Sequence, residues 1–170
     1  AHLATERVVR SAQEQVKKII NPDVTVIYLR EHDQLLLQDR HEQQVVFPEI
    51  KKIGQCLCGI AAQDGEPVYS ENIRKDPRCT LHECREAGFV SFAALPLVVK
   101  GSVIGVLGIA ARAERDFSEN AEFIGTLAGH IAVALHNARL YEQAQHASEQ
   151  LKAHEKEITA LNQRLMASMQ

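Results

Sequence analysis

Apolar residues recur at helical spacing over residues 2–20, where Leu3, Val8, Ala12, Val16, Ile19 and Ile20 stand among charged and glutamine neighbours until Asn21-Pro22-Asp23 closes the pattern. The period then shortens. Residues 24–29 are mostly β-branched and bounded by turn residues, which predicts a buried strand; His32-Asp33 turns the chain into two further strands, residues 34–38 and 44–47, of an antiparallel meander. Residues 54–62 are small and apolar and are closed by Asp64-Gly65, so they predict a short helix beginning near Cys56 or Leu57. Pro67-Val68-Tyr69 reads as a brief strand, followed by a polar, turn-rich stretch around Asp76-Pro77. Thr80, with Glu83 three residues on, has the pattern of a capping box for a helix through about Ala87 that Gly88 stops. Residues 90–99 and 102–111 are β segments joined by a tight hairpin at Lys100-Gly101. Phe117-Ser118-Glu119-Asn120 then opens a helix that runs to Gln170. This reading buries Val24, Val26, Leu95, Leu97, Val106 and Ile109 and exposes Arg74, Lys75 and Glu83.

The end of that last helix changes character. Leu140, Ala144, Ala147, Leu151, His154, Ile158, Leu161, Leu165 and Ser168 keep a 4,3 alternation, the seam of a coiled coil, with Glu, Lys and Gln on the flanks. Four of the nine seam positions are small or polar, which suits a marginal pairing that a signal can shift. The expected division is a globular unit over residues 1–141 and a signalling helix over residues 142–170, pairing as a parallel homodimer with the first helix joining the bundle. The bland alternative is an amphipathic helix folded back on its own domain.

Composition narrows the partners. The 170 residues, 45% hydrophobic and 24% charged, can bury a full core without disulfides or metal. A formal charge of −3 argues against nucleic acid as a partner. No apolar run reaches the roughly 18 residues a membrane span needs, and no signal peptide is visible. A cytoplasmic domain is expected, alone or carried by a membrane-anchored protein whose other segments lie elsewhere.

The four cysteines are the chemistry-bearing residues. Cys56 and Cys58 form a C-x-C pair, Cys79 and Cys84 a C-x₄-C pair, and 20 residues separate them. Four thiolates suit a soft ion, so zinc or an iron–sulfur cluster is the expected cofactor, with Cys56, Cys58, Cys79 and Cys84 as its ligands. Residues two apart on a regular helix point roughly 200° apart, so Cys56 must sit before the helix for both thiols of the first pair to face one centre. Two other readings stand beside it: a thiol redox switch without metal, and cysteines that simply fill the core. His82 could replace a thiolate, and Arg74, Lys75, Asp76 and Arg78 could meet an anion, though charged loops are usually just solvated surface. Ser91 and Ser102 lack a nucleophile elbow, and the glycines form no phosphate loop. No catalytic constellation is evident, so an enzyme is not expected.

Gly54-x-x-x-Cys58-Gly59-x-Ala61-Ala62-x-x-Gly65-x-Pro67-Val68, followed by Asp76-Pro77-Arg78, Gly88-Phe89-Val90-Ser91-Phe92, Leu95-Pro96-Leu97, Val103-Ile104-Gly105-Val106-Leu107 and Phe117-Ser118, resembles the GAF family of small-molecule sensor domains. The likeness runs in order to about Tyr141. It implies an α+β fold with an antiparallel sheet of about six strands, helices from both termini on one face, and a ligand cavity on the other under residues 54–88. Such domains bind cyclic nucleotides, bilins, haem, metal centres or small metabolites. Here the bilin element, the Cys-x-x-Cys-His of a c-type haem and the cyclic-nucleotide run are missing, which leaves haem a weaker expectation than the thiol-bound centres. The expected function is a sensory domain of a signal-transduction protein. It binds a small ligand or a Cys-held centre and relays the result through its dimeric helix to an output module. The alternatives are a ligand-free dimerisation module and a thiol-dependent enzyme such as a GAF-type methionine-sulfoxide reductase.

Overall fold

The computed structural model describes residues 3–38 and 47–170. The first helix, α1, spans Leu3–Ile19. Its Val9, Ala12 and Val16 are buried at helical spacing. Strands β1 (Val24–Glu31) and β2 (Gln34–Gln38) meet across His32-Asp33. Then follow β3 (Ile50–Lys52), helix α2 (Cys56–Asp64), β4 (Val68–Ser70), the single-turn helix α3 (Glu83–Glu86), β5 (Ser91–Val99) and β6 (Ser102–Ala111). A 3₁₀ turn at Phe117–Asn120 leads into α4, which runs unbroken over Ala121–Ser168. Among the described residues the sheet has six strands in the order β3-β2-β1-β6-β5-β4, every neighbouring pair antiparallel.

Strand alternation splits the core into two layers. Ile27, Leu29, Leu95, Leu107 and Ile109 face α1 and α4. Val26, Tyr28, Leu35, Phe92 and Val106 face the other way, toward α2 and α3. The six core residues expected from the sequence are all buried. Arg74 and Lys75 are exposed as expected, whereas Glu83 is half-buried. The β5–β6 hairpin closes at Lys100 and Gly101 with φ of 51° and 78°, the doubly left-handed turn that matches strand twist.

Two local expectations are corrected. Of the strand placed at residues 44–47, residues 44–46 lie outside the described residues and Phe47 is in no strand; β3, at Ile50–Lys52, is what pairs with β2. The capping box at Thr80 does not form, because α3 starts only at Glu83, with His82 before it and no side-chain cap. No helix among the described residues is long and apolar enough to cross a membrane.

Candidate functional site

Gly59 brings the site together. A Cβ there would collide with the carbonyl of Lys52, so only glycine lets α2 lie this close to β3. The approach sets Cys58, one residue before Gly59, against Lys51, one residue before Lys52: Lys51 Nζ lies 3.7 Å from Cys58 Sγ. Helix α2 ends at Gly65, whose φ of 68° allows the left-handed cap. It begins at Cys56, whose own φ is +61°, a conformation that costs a residue with a side chain on the order of 1 kcal/mol. That departure from helical geometry lets Cys56 and Cys58 share one side.

All four cysteines are free, buried and in one apolar cluster on the α2 face of the sheet. They line a single void with Lys51 and Phe92, too narrow to admit a water molecule. Cys56 Sγ and Cys79 Sγ are 4.0 Å apart. Among the described residues no group of three or more His, Cys, Asp or Glu side chains stands close enough to hold a metal ion. The four thiols therefore converge on one void as expected, but not at coordinating spacing. His82 is exposed and stands away from this void.

Lys51 was invisible to the sequence reading. It is 1% exposed, while its neighbour Ile50 is 53% exposed, an inversion of the usual hydropathy. Pairing is the signal that could have found it, because Lys51 sits opposite Leu35, itself fully buried. Besides Cys58, its ammonium has the face of the Tyr28 ring at 4.9 Å, a cation–π contact. Tyr28 is fixed in turn by donating its hydroxyl to the Pro48 carbonyl at 2.8 Å. Burial alone pulls Lys51 toward the neutral amine, but interaction with Cys58 first, then with Tyr28, Cys84 and Cys56, outweighs it and keeps the proton on.

The four thiols are shifted in opposite directions by their surroundings. By distance alone either sulfur of the Cys56–Cys79 pair could carry the shared proton. The contact with Cys79 lowers Cys56 from 9.0 to about 5 against the opposing effect of burial, helped by Lys51 and by backbone bonds from Leu81 and Leu57. Cys79 is raised correspondingly, first by that contact and then by burial. Within the pair the shift runs down at Cys56 and up at Cys79. Cys58 is pushed up by burial, with Lys51 opposing, and Cys84 is pushed up to about 11 for the same reason. Arg85 Nη2 fixes the Cys79 carbonyl at 2.5 Å. Arg85 Nε and Glu83 Oε2, on either side of Cys84 in sequence, are buried without a hydrogen-bond partner among the described residues.

The charged loop is self-contained. Arg78 forms a bidentate pair with Asp76 and donates to the Tyr69 carbonyl, so these two residues hold each other rather than presenting a vacant anion site. The Arg78 bonds hold the Asp76 carboxyl down at about 2.

Residues 2–136 match the profile of the family described as GAF domain. No match was found among curated proteins. Among solved structures, the GAF domain of a two-component sensor histidine kinase from Bacillus halodurans superposes with a TM-score of 0.69 at 18% identity, covering 80% of this chain and 96% of that one. The GAF domain of an Acinetobacter phosphoenolpyruvate-protein phosphotransferase gives 0.63 at 24% identity, with 84% and 97% covered. The type II free methionine-R-sulfoxide reductase of Thermoplasma acidophilum gives 0.65 at 18% identity, with 79% and 94% covered. At these identities the likeness is one of fold. The last comparison overturns the expectation that the chain is not an enzyme, because that reductase is an enzyme built on the same fold.

Proposed function

The chain belongs to the GAF domain family, and on that premise we propose that it is a sensory module whose sensing centre is the buried thiol cluster of Cys56, Cys58, Cys79 and Cys84. The observation that carries this reading is the convergence of all four thiols on one void beside a buried lysine. Plain packing gives no reason to bury an ammonium there, since a Met of similar volume would fill the space without desolvating a charge.

The size of the void selects among ligand classes. A haem, a bilin or a cyclic nucleotide would need the α2 face to open widely. A single soft ion needs only that the four sulfurs draw together, and thiolates are the donors such an ion takes. Lys51 would offset part of the net negative charge of a tetrathiolate centre. When bound, the ion would pin the segment carrying Cys79 and Cys84 to α2.

The signal leaves through α4. Val133, Leu140, Leu151, Ile158 and Leu165 are exposed and fall within roughly 40° of one another at 3.6 residues per turn, opposite the buried Ile124, Ile131 and Leu135. That stripe starts on the outer face of the domain and continues past Ala138, the last buried residue of the helix. A second copy of the chain pairing along it forms the relay to an output module.

A second reading, a thiol-dependent reductase, is favoured by one observation: a thiolate, Cys56, held against a thiol, Cys79. Two assays decide between them. The anaerobically purified chain should contain close to one equivalent of zinc or iron per chain, lost in Cys58→Ser; turnover of free methionine sulfoxide is the second assay. Metal-free protein that cannot be loaded with either ion sinks the metal centre, and steady turnover would install the reductase reading in place of the sensor.

A further inference from the structure

We propose that Cys56 and Cys79 form a redox pair, in which a hydroperoxide converts the two facing thiols to a disulfide that clamps the 71–82 segment onto the start of α2. The inference deepens the reading of the thiol cluster as sensing centre, naming an oxidant as one signal it registers. It needs no metal.

Geometry carries it. The two sulfurs are 4.0 Å apart, and side-chain rotation with a modest backbone shift brings such a pair to the roughly 2 Å of an S–S bond. The partners come from opposite sides of the void: Cys56 opens α2, and Cys79 lies in the stretch between β4 and α3 that has no helix or strand. A bond between them therefore closes a loop of more than twenty residues and ties the stretch before α3 to the start of α2. Cys79 Sγ also lies 3.9 Å from the Leu81 carbonyl, a contact that holds its thiol on the side of the void where Cys56 stands. The left-handed backbone at Cys56 directs its thiol to this side.

The steps balance with hydrogen peroxide as the oxidant. An electron pair of the Cys56 thiolate attacks one peroxide oxygen; the S–O bond forms as the O–O bond breaks, and the departing hydroxide takes the Cys79 proton and leaves as water. Cys56 is then a sulfenic acid and Cys79 a thiolate. The Cys79 thiolate attacks the Cys56 sulfur, the S–S bond forms, and the S–O bond breaks to release hydroxide, which a solvent proton converts to the second water. Two thiols lose two electrons in all, and the peroxide gains them. Both sulfurs are buried, so peroxide enters only when the 71–82 segment lifts, and oxidation is slower than at an exposed thiol of equal charge.

The test uses the full chain, reduced, stripped of metal with chelator and exposed to about one equivalent of hydrogen peroxide, with thiols then blocked in denaturant and peptides mapped by mass spectrometry. The expected product is a Cys56–Cys79 disulfide, with Cys58 and Cys84 blocked as free thiols, reversed by dithiothreitol. In Cys79→Ser, dimedone should trap a sulfenic acid at Cys56, while Cys56→Ser should leave Cys79 a free thiol. A different pairing as the main product, or four free thiols after several equivalents of peroxide, overturns the proposal. Because metal is absent throughout, neither outcome depends on whether the metal-centre reading survives.

Discussion

An ammonium group taken out of water needs negative potential close by, and Lys51 finds it in sulfur and in the Tyr28 ring rather than in a carboxylate. The dependence is mutual, since Lys51 is among the groups that hold Cys56 down. Lys51→Met removes the charge and keeps the volume, so the variant should fold with unchanged or higher Tm while the Cys56 thiolate titrates at a higher pH. Thiolate absorbance in the far ultraviolet reads this directly: a midpoint near pH 5 in the parent should move upward, and an unmoved midpoint contradicts the pairing. The sign for stability follows from the same shift. A thiol lowered from 9.0 to about 5 on folding contributes stability that is fully present above pH 9 and lost as the pH falls through about 5. Denaturant midpoints for the parent should therefore decline over that window more than those of Cys56→Ser. At this scale the sequence was half legible. Clustered thiols announce themselves by spacing, but a lysine next to a second lysine reads as surface until strand register turns it inward.

Elements position these residues because each is fixed on both sides. Helix α2 is pinned to β3 through Gly59 and packs against β5 and β6, and α4 packs on the opposite face of β5. Gly59→Ala should push α2 off β3, separate Cys58 from Lys51, and lower Tm; near-parental Tm with intact thiol titration would mean the contact yields. Leu95 on β5 and Leu107 on β6 pair directly and are fully buried between the sheet and the terminal helices. Truncating either to Ala should cost about 2–5 kcal/mol in urea unfolding, and a loss below about 1 kcal/mol would contradict the packing described. Long periodic elements were legible in the sequence: α1, the β1–β2 turn, α2 with its glycine cap, the β5–β6 hairpin and α4. The two errors share a cause. β3 and α3 are three and four residues long, too short for periodicity to register, and their ends are set by tertiary contact rather than by local caps.

At the scale of the whole molecule, α4 is far longer than its domain requires. Residues 143–168 are all exposed yet keep an apolar stripe, the pattern of a helix that pairs with a partner. Leu151→Lys should place like charges across a parallel seam and weaken self-association at least tenfold by sedimentation equilibrium, leaving the fold of residues 3–138 intact; a monomeric parent at tens of micromolar would remove the second copy from the account. The antiparallel sheet of six strands with helices from both termini on one face, expected from the family resemblance, is observed among the described residues, since it rests on motifs spread over most of the chain. The occupant of the thiol cluster was not legible, because thiolate spacing alone does not separate an ion from a disulfide. The central claim is that an event at the thiols reaches α4, by way of α2 and β5. Amide hydrogen exchange of the full chain, compared between its reduced, peroxide-oxidised and zinc-treated forms, tests it most directly. Altered protection along residues 121–168 together with residues 54–88 is the predicted result, and a change confined to residues 54–88, with α4 exchanging identically in all three forms, would contradict it.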